Sequence, residues 1–441
     1  MKKLVILIVA VLVLAACQSN TNEVKKSTES SSPSDQSNTD IEDDAGQTEQ
    51  VITGAPVANL SALAKDYASV PDYVIDDKTW RPIDFRQSDV SKLDLSNELD
   101  KLLHTQFDMK TIWPEKLPEK FDPKAIMDIA RTPGLEINSL HKQGITGEDI
   151  GIAIIDQPLL VDHNEYKGKI KHYEEIKLFD ESLEKGSFFD QASMHGPFMT
   201  SIAVGENCGV APKANVYYFS GNVFNENNEK SWLAYKEAVD RVLEINDTLS
   251  EKNKIRVISI SAAWQPGDIG YKELEESIQK AKDKGIFVMS AGVYTEYDYS
   301  MCFQGLDRNP LDSKENKESY NVIEWKQWLS MVQGFDTYYQ KQFSENPPKE
   351  ILLVPMDSML AAEPTGVDQY VFERIGGWSS VEPYISGLYA LACQVKPDIT
   401  PELFWKTALT TGDDKNVEIE NSTYKGKMIN PVKLIENLKK Q

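Results

Sequence analysis

Nucleophilic acyl chemistry needs a hydroxyl or thiol, a base, and an acid that orients the base. The base narrows the search, because the chain has only five histidines. His104 lies in a polar helical stretch, His141 in a turn, His163 after an apolar strand and His172 among lysines. These four read as surface or structural groups. His195 differs. It opens HGPFMTSIAVG, where Pro197 pre-sets the first helical φ and an apolar helix follows. Asp156 ends the apolar run IGIAIID. A carboxylate there is costly unless paired, so it either caps the strand exit or orients a histidine. Ser379 sits in GGWSSVEPYISG, a glycine- and serine-rich turn running into an apolar helix. It is either an ordinary helix cap or a nucleophile at the positive end of a helix, where backbone N–H groups can meet an oxyanion.

The elements that must position these groups alternate. Apolar strands at 150–156, 215–220, 255–261 and 285–292 are separated by helical stretches at 230–245 and 271–284. The strands are nearly continuous apolar runs, as expected for a parallel sheet covered on both faces by helices. The expected fold is therefore α/β, with a mostly parallel central sheet and helices on both faces, and with its chemistry beyond the carboxyl ends of the strands. ILLVPMDS at 351–358 resumes strand character, and Thr400 with Pro401 opens a further helix. Residues 296–347 are polar and aromatic and break the rhythm; they predict an insertion with a helix near 323–333. Residues 56–132 carry apolar anchors, Tyr73, Trp80, Phe85 and Trp113, with weak periodicity. They either wrap the main domain or act as a pro-segment.

Taken together, three ordered blocks resemble the subtilisin-like serine proteases. GITGEDIGIAIIDQPLLVDHNEY resembles the block around the family's catalytic Asp, with Asp156 on that position and His163 and Glu165 on the trailing positions. HGPFMTSIAVGENCGVAPKANVYYF resembles the His block, with GVAP at 209–212 matching outright. GGWSSVEPYISGLYAL resembles the Ser block, with Pro383 and Gly387 holding its spacing. The resemblance covers residues 133 to about 440, and Asp–His–Ser is that family's order along the chain. It implies a subtilisin-like fold and a serine endopeptidase with Asp156, His195 and Ser379 as its triad. It also implies that Ser261-Ala262-Ala263 lines the substrate strand. The departures are specific. Val293 occupies the position of the family's oxyanion Asn, and Trp378 stands where Thr is usual. The loop before GVAP is short, so the family's calcium-binding loop there looks absent. Loss of the oxyanion donor costs subtilisin about 10²–10³ in rate. A rival expectation is therefore a weak or inactive module of the same fold that binds peptides or a partner protein.

The chain starts MKKLVILIVAVLVLAACQSN. Its apolar stretch is too short to span a bilayer, which needs roughly 20 residues, and reads as a secretory signal. Leu14-Ala15-Ala16-Cys17 resembles the bacterial lipobox, in which the Cys is lipidated. This predicts a signal peptide over 1–17, attachment at Cys17, and a location on the extracytoplasmic face of a cell membrane through a lipid anchor. Residues 18–55 are rich in Ser, Thr, Asn, Gln, Asp and Glu and predict a disordered tether. The peptidase-like domain is expected over 133–441. The net charge of −22 argues against nucleic-acid binding through a basic face. Cys208, Cys302 and Cys393 have no CxxC or His-rich spacing, so buried free thiols are the default, one disulfide stays open, and no metal or other cofactor is expected. The expected partners are a peptide or protein substrate and the membrane, with the chain itself a monomer.

Overall fold

In the computed structural model, residues 50–60, 65–75, 80–179, 188–323, 336–419 and 422–441 are described. The expected signal peptide, Cys17, the tether through residue 49 and most of the helix expected at 323–333 lie outside them.

The elements that matter for the site begin with β1 (Val51–Thr53), β2 (Ile83–Asp84) and β3 (Thr105–Asp108), followed by helix α1 (Pro123–Ala130). Then come β4 (Gly151–Asp156), β5 (Ile170–Ile176), α2 (His195–Val204), β6 (Asn215–Gly221) and α3 (Leu233–Thr248). Next are β7 (Ile255–Ile260), α4 (Tyr271–Asp283), β8 (Phe287–Ser290) and the short α5 (Val293–Glu296). After these follow β9 (Phe303–Arg308), β10 (Tyr320–Val322), β11 (Glu350–Pro355), β12 (Asp357–Ala362) and β13 (Tyr370–Ile375). The chain closes with α6 (Val381–Val395), α7 (Pro401–Thr411), β14 (Asp413–Ile419), β15 (Ser422–Met428) and α8 (Pro431–Leu438).

The central sheet has six strands in the order β1-β5-β6-β4-β7-β8, and all five pairings are parallel. Its strands read as unbroken apolar runs because both faces are covered. In β4, Ile152 and Ile154 join one core while Ala153 and Ile155 join the other. In β6, Val216 and Tyr218 face the first core and Tyr217 and Phe219 the second. Helices α2 and α6 belong to the first core, and α3 and α4 to the second. Thr400 caps α7 as its sequence predicts, accepting from the Leu403 N–H at 3.2 Å.

Three segments differ from expectation. Val51–Thr53, the end of the expected tether, is a strand on the sheet edge; its β-branched side chains suit an extended chain, and β5 supplies the partner. Residues 296–347 are not simply an insertion, since β9 and β10 join a five-stranded sheet ordered β10-β9-β11-β15-β14. Polar and aromatic composition hid the strands there. Residues 83–108, whose weak periodicity marks no strands, also contribute to a sheet. β2 and β3 extend the β12–β13 hairpin into a four-stranded sheet, β12-β13-β3-β2. Phe85, Phe107, Trp113 and Phe121 pack edge-on with one another, and Phe107 of β3 packs tilted against Phe372 of β13.

Candidate active site

β4 delivers Asp156 at its carboxyl end, 2% exposed. Its Oδ1 accepts the Gln157 N–H at 2.6 Å and lies 2.7 Å from Nδ1 of His195. His195 is the first residue of α2, and Gly196 must be glycine. A Cβ there would stand 2.5 Å from the Tyr218 hydroxyl and 2.6 Å from the Gln157 carbonyl. That close approach is what seats the imidazole against the end of β4. With Nδ1–H donating to Asp156, the neutral ring keeps its lone pair on Nε2. Nε2 is buried and has no hydrogen-bond partner. Burial alone would drive the His195 pKa down. The Asp156 carboxylate, through charge and hydrogen bond, and the more distant Glu373 carry it above the usual 6.5.

Ser379 follows β13 through a tight turn. Gly377 adopts φ +65°, a left-handed conformation that disfavours any side chain, and Trp378–Ser380 form a single 3₁₀ turn before α6. Trp378 is anchored by its Nε1–H donating to Gln304 of β9 at 3.0 Å. Ser261, just past β7, ties the turn to the central sheet. Its Oγ donates to the Ser379 carbonyl at 2.9 Å, and the Ser379 Oγ donates to the Ser261 carbonyl at 3.5 Å. Ala262 and Ala263 are half-buried beside it, and the Ala262 carbonyl accepts the Ala291 N–H at 3.1 Å. The end of β4 thus meets the start of α2 through Asp156 and His195, and the turn packs against α2 and the end of β7.

Val293 opens α5, is fully buried in the larger core and offers no side-chain donor. The hydroxyls of the next two residues are engaged. The Tyr294 hydroxyl donates to the Asn346 carbonyl, and the Thr295 hydroxyl donates to the Gly292 carbonyl at 3.0 Å.

The other histidines have structural partners. His104 stacks on Tyr73, His141 bonds the Val210 carbonyl, His163 bonds the Gln369 carbonyl, and His172 pairs with Glu174. Glu165 is fully buried and accepts from the Asn207 backbone and amide, from Cys208 and from the Tyr370 hydroxyl. Cys208, Cys302 and Cys393 are buried free thiols.

A profile of the subtilase family matches residues 147–425. The chain belongs to the subtilase family. Within this subtilase, residues 1–18 also match the prokaryotic membrane lipoprotein lipid attachment site, so the protein is a lipid-anchored subtilase. Among the described residues, no helix is long and apolar enough to cross a membrane. The subtilisin-like protease PopC of Myxococcus xanthus (strain DK1622) is 21% identical over 278 residues. The match covers 59% of this chain and 54% of PopC, so this subtilase spans about half the length of that curated relative. Among solved structures, the prenylagaramide maturation protease PagA aligns with TM-score 0.44 and 19% identity, covering 68% of this chain and 98% of PagA. A serine-to-alanine mutant of the protease domain of PatA aligns with TM-score 0.43 and 16% identity, covering 67% of this chain and 98% of that domain.

Sequence reasoning missed several carboxylates around the site. Glu373 on β13 is 8% exposed, and its charge is felt by His195. Glu382, the second residue of α6, is fully buried with neither oxygen partnered, and burial pushes its pKa well above the usual carboxyl value. Glu296 of α5 is pushed by burial from 4.5 to about 8. For Glu382 a signal existed: a lone acid inside an apolar helix start. Glu373 lies in YVFERI, where nothing marks it out.

Proposed function

We propose that this subtilase is a serine endopeptidase in which Asp156, His195 and Ser379 form the catalytic triad. The observation that carries the reading is the imidazole of His195. It is held by Asp156 on one nitrogen and left without a hydrogen-bond partner on the other, on the same side of the sheet as the Ser379 turn. In this reading the Ser379 Oγ exchanges its long hydrogen bond to the Ser261 carbonyl, 3.5 Å, for one to the imidazole. The Ser379 Oγ then attacks the scissile carbonyl while its proton passes to His195 Nε2. Collapse of the tetrahedral intermediate breaks the C–N bond, and the amine leaves with that proton. Water, deprotonated by the same nitrogen, cleaves the acyl-enzyme. Asp156 holds the tautomer and stabilises the imidazolium without itself taking the proton. Ser261, Ala262 and Ala263 would pair with the substrate backbone as an added strand. Cys17 would hold the enzyme on the extracytoplasmic face of the cell membrane, where peptides and proteins are its substrates.

A second reading has one observation in its favour. Val293 supplies no oxyanion donor, and the hydroxyls of Tyr294 and Thr295 are spent elsewhere. That favours a weak or inactive module that binds extended peptides. A fluorophosphonate probe on the purified protein separates the two. Wild type should label covalently and Ser379→Ala should not. Folded wild type that takes no label sinks the peptidase reading.

A further inference from the structure

The sequence leaves the N-terminal segment open between a wrap and a removable pro-segment. We propose that residues 83–130 are a permanent part of the molecule, and that their Arg86 and Gln106 hold Glu373 as a positioning carboxylate for the base. The positioning role rests on His195 being that base.

Three layers of contact carry this. The first is the sheet: β3 pairs antiparallel with β13, Val371 opposite Asp108 and Phe372 opposite Phe107. β13 runs directly into the Gly376–Ser379 turn, so losing β3 would open an unpaired edge on the strand that presents the nucleophile. The second is apolar. Leu360, Tyr370 and Phe372 of the hairpin share one core with Ile83, Phe85, Phe107, Phe121 and Ile126 of the segment. Removing the segment would expose that face.

The third layer reaches the site. Arg86 donates to one oxygen of Glu373 at 3.0 Å, and is itself gripped by both oxygens of Asp84 at 2.8 and 2.9 Å. The Gln106 amide, in the orientation that satisfies its own hydrogen bonds, donates to the other Glu373 oxygen at 3.0 Å. Both oxygens of a nearly buried carboxylate are thus held by side chains from the segment. Without it, Glu373 would lose both partners. On β13 itself, the neighbouring Arg374 donates to the Leu103 carbonyl at 2.8 Å and fastens the segment a second time.

Glu373 also completes the electrostatics of the base. The charged groups facing His195 are Asp156 from β4 and Glu373 from β13. Those facing Glu373 are Arg86, Asp84 and His195, and Glu363 adds to the acids around Arg86. Burial raises the Glu373 pKa and Arg86 opposes that rise; the carboxylate, when ionised, favours the imidazolium that forms during attack.

The test uses the full chain in detergent with labelled histidines, titrated by NMR, which needs no activity. Glu373→Gln should lower the His195 midpoint by roughly half a unit or more, with the other four histidines as internal controls on the fold. Arg86→Met should move it the same way, because Glu373 without its cation takes up a proton. Arg86→Lys should restore it. Should Glu373→Gln fail to fold, the Arg86 pair carries the readout. An unmoved His195 midpoint in a folded Glu373→Gln variant overturns the positioning role. Intact-mass analysis of the mature chain from membranes should find residues 83–130 joined to Ser379; a mature chain starting beyond residue 130 overturns permanence. Failed probe labelling of wild type would sink the peptidase reading and leave both of these measurements standing.

Discussion

His195 is pulled two ways, and the balance predicts a pH profile. Burial disfavours the imidazolium, while Asp156 and Glu373 favour it and win. In the proposed mechanism His195 is the base and works only when neutral. The acid limb of kcat/KM should therefore have its midpoint above 6.5, and activity should rise as pH climbs through it. The same raised pKa means that the imidazolium stabilises the fold below about 6.5, a contribution lost as pH rises through the folded value. A midpoint at or below 6.5 would contradict the paired imidazole. The oxyanion position makes a separate prediction. Val293→Asn places an amide in the core, which should cost about 1–3 kcal/mol of stability. In the proposed mechanism it also restores an oxyanion donor, so acylation by the probe should rise by about tenfold or more. Melting temperature and labelling rate measured together separate the two effects. An unchanged rate removes Val293 as the limit.

Among the elements, α5 shows how backbone placement sets a titration. The turn leaving β8 buries Glu296, whose one oxygen accepts from the Ser290 hydroxyl at 2.5 Å while the other has no partner. Between 4.5 and about 8 this carboxyl is protonated in the fold and ionised in the unfolded chain. It therefore subtracts stability progressively as pH rises through that window. Glu296→Gln removes the slope and keeps the shape. Its melting temperature should exceed that of wild type by more at pH 8 than at pH 5. A pH-independent difference would show that Glu296 does not titrate there. The Ser379 turn was legible for similar local reasons. A Gly pair, a Ser pair and an apolar helix in that order mark a positive-φ turn feeding a buried helix, and Gly377 and α6 have those conformations. β9 and β10 were not legible, because their strand character comes from neighbours that a linear pattern does not display.

For the whole molecule, the lipid attachment site predicts a simple fractionation. Wild type should sediment with membranes, and Cys17→Ala should pass to the soluble fraction. Membrane retention of Cys17→Ala would point to another anchor. The sequence by itself determined the α/β class, because strands buried on both faces must read as apolar runs. It also determined the family, because Asp156, His195 and Ser379 each lie in a local block whose spacing survives without any partner. Only the tertiary structure decided that β2 and β3 join the sheet leading to Ser379, and that Arg86 meets Glu373. The Arg86–Glu373 contact alone joins positions 287 residues apart in the chain. Such relations depend on long-range pairing and on shared burial, and neither leaves a periodic trace in either segment alone.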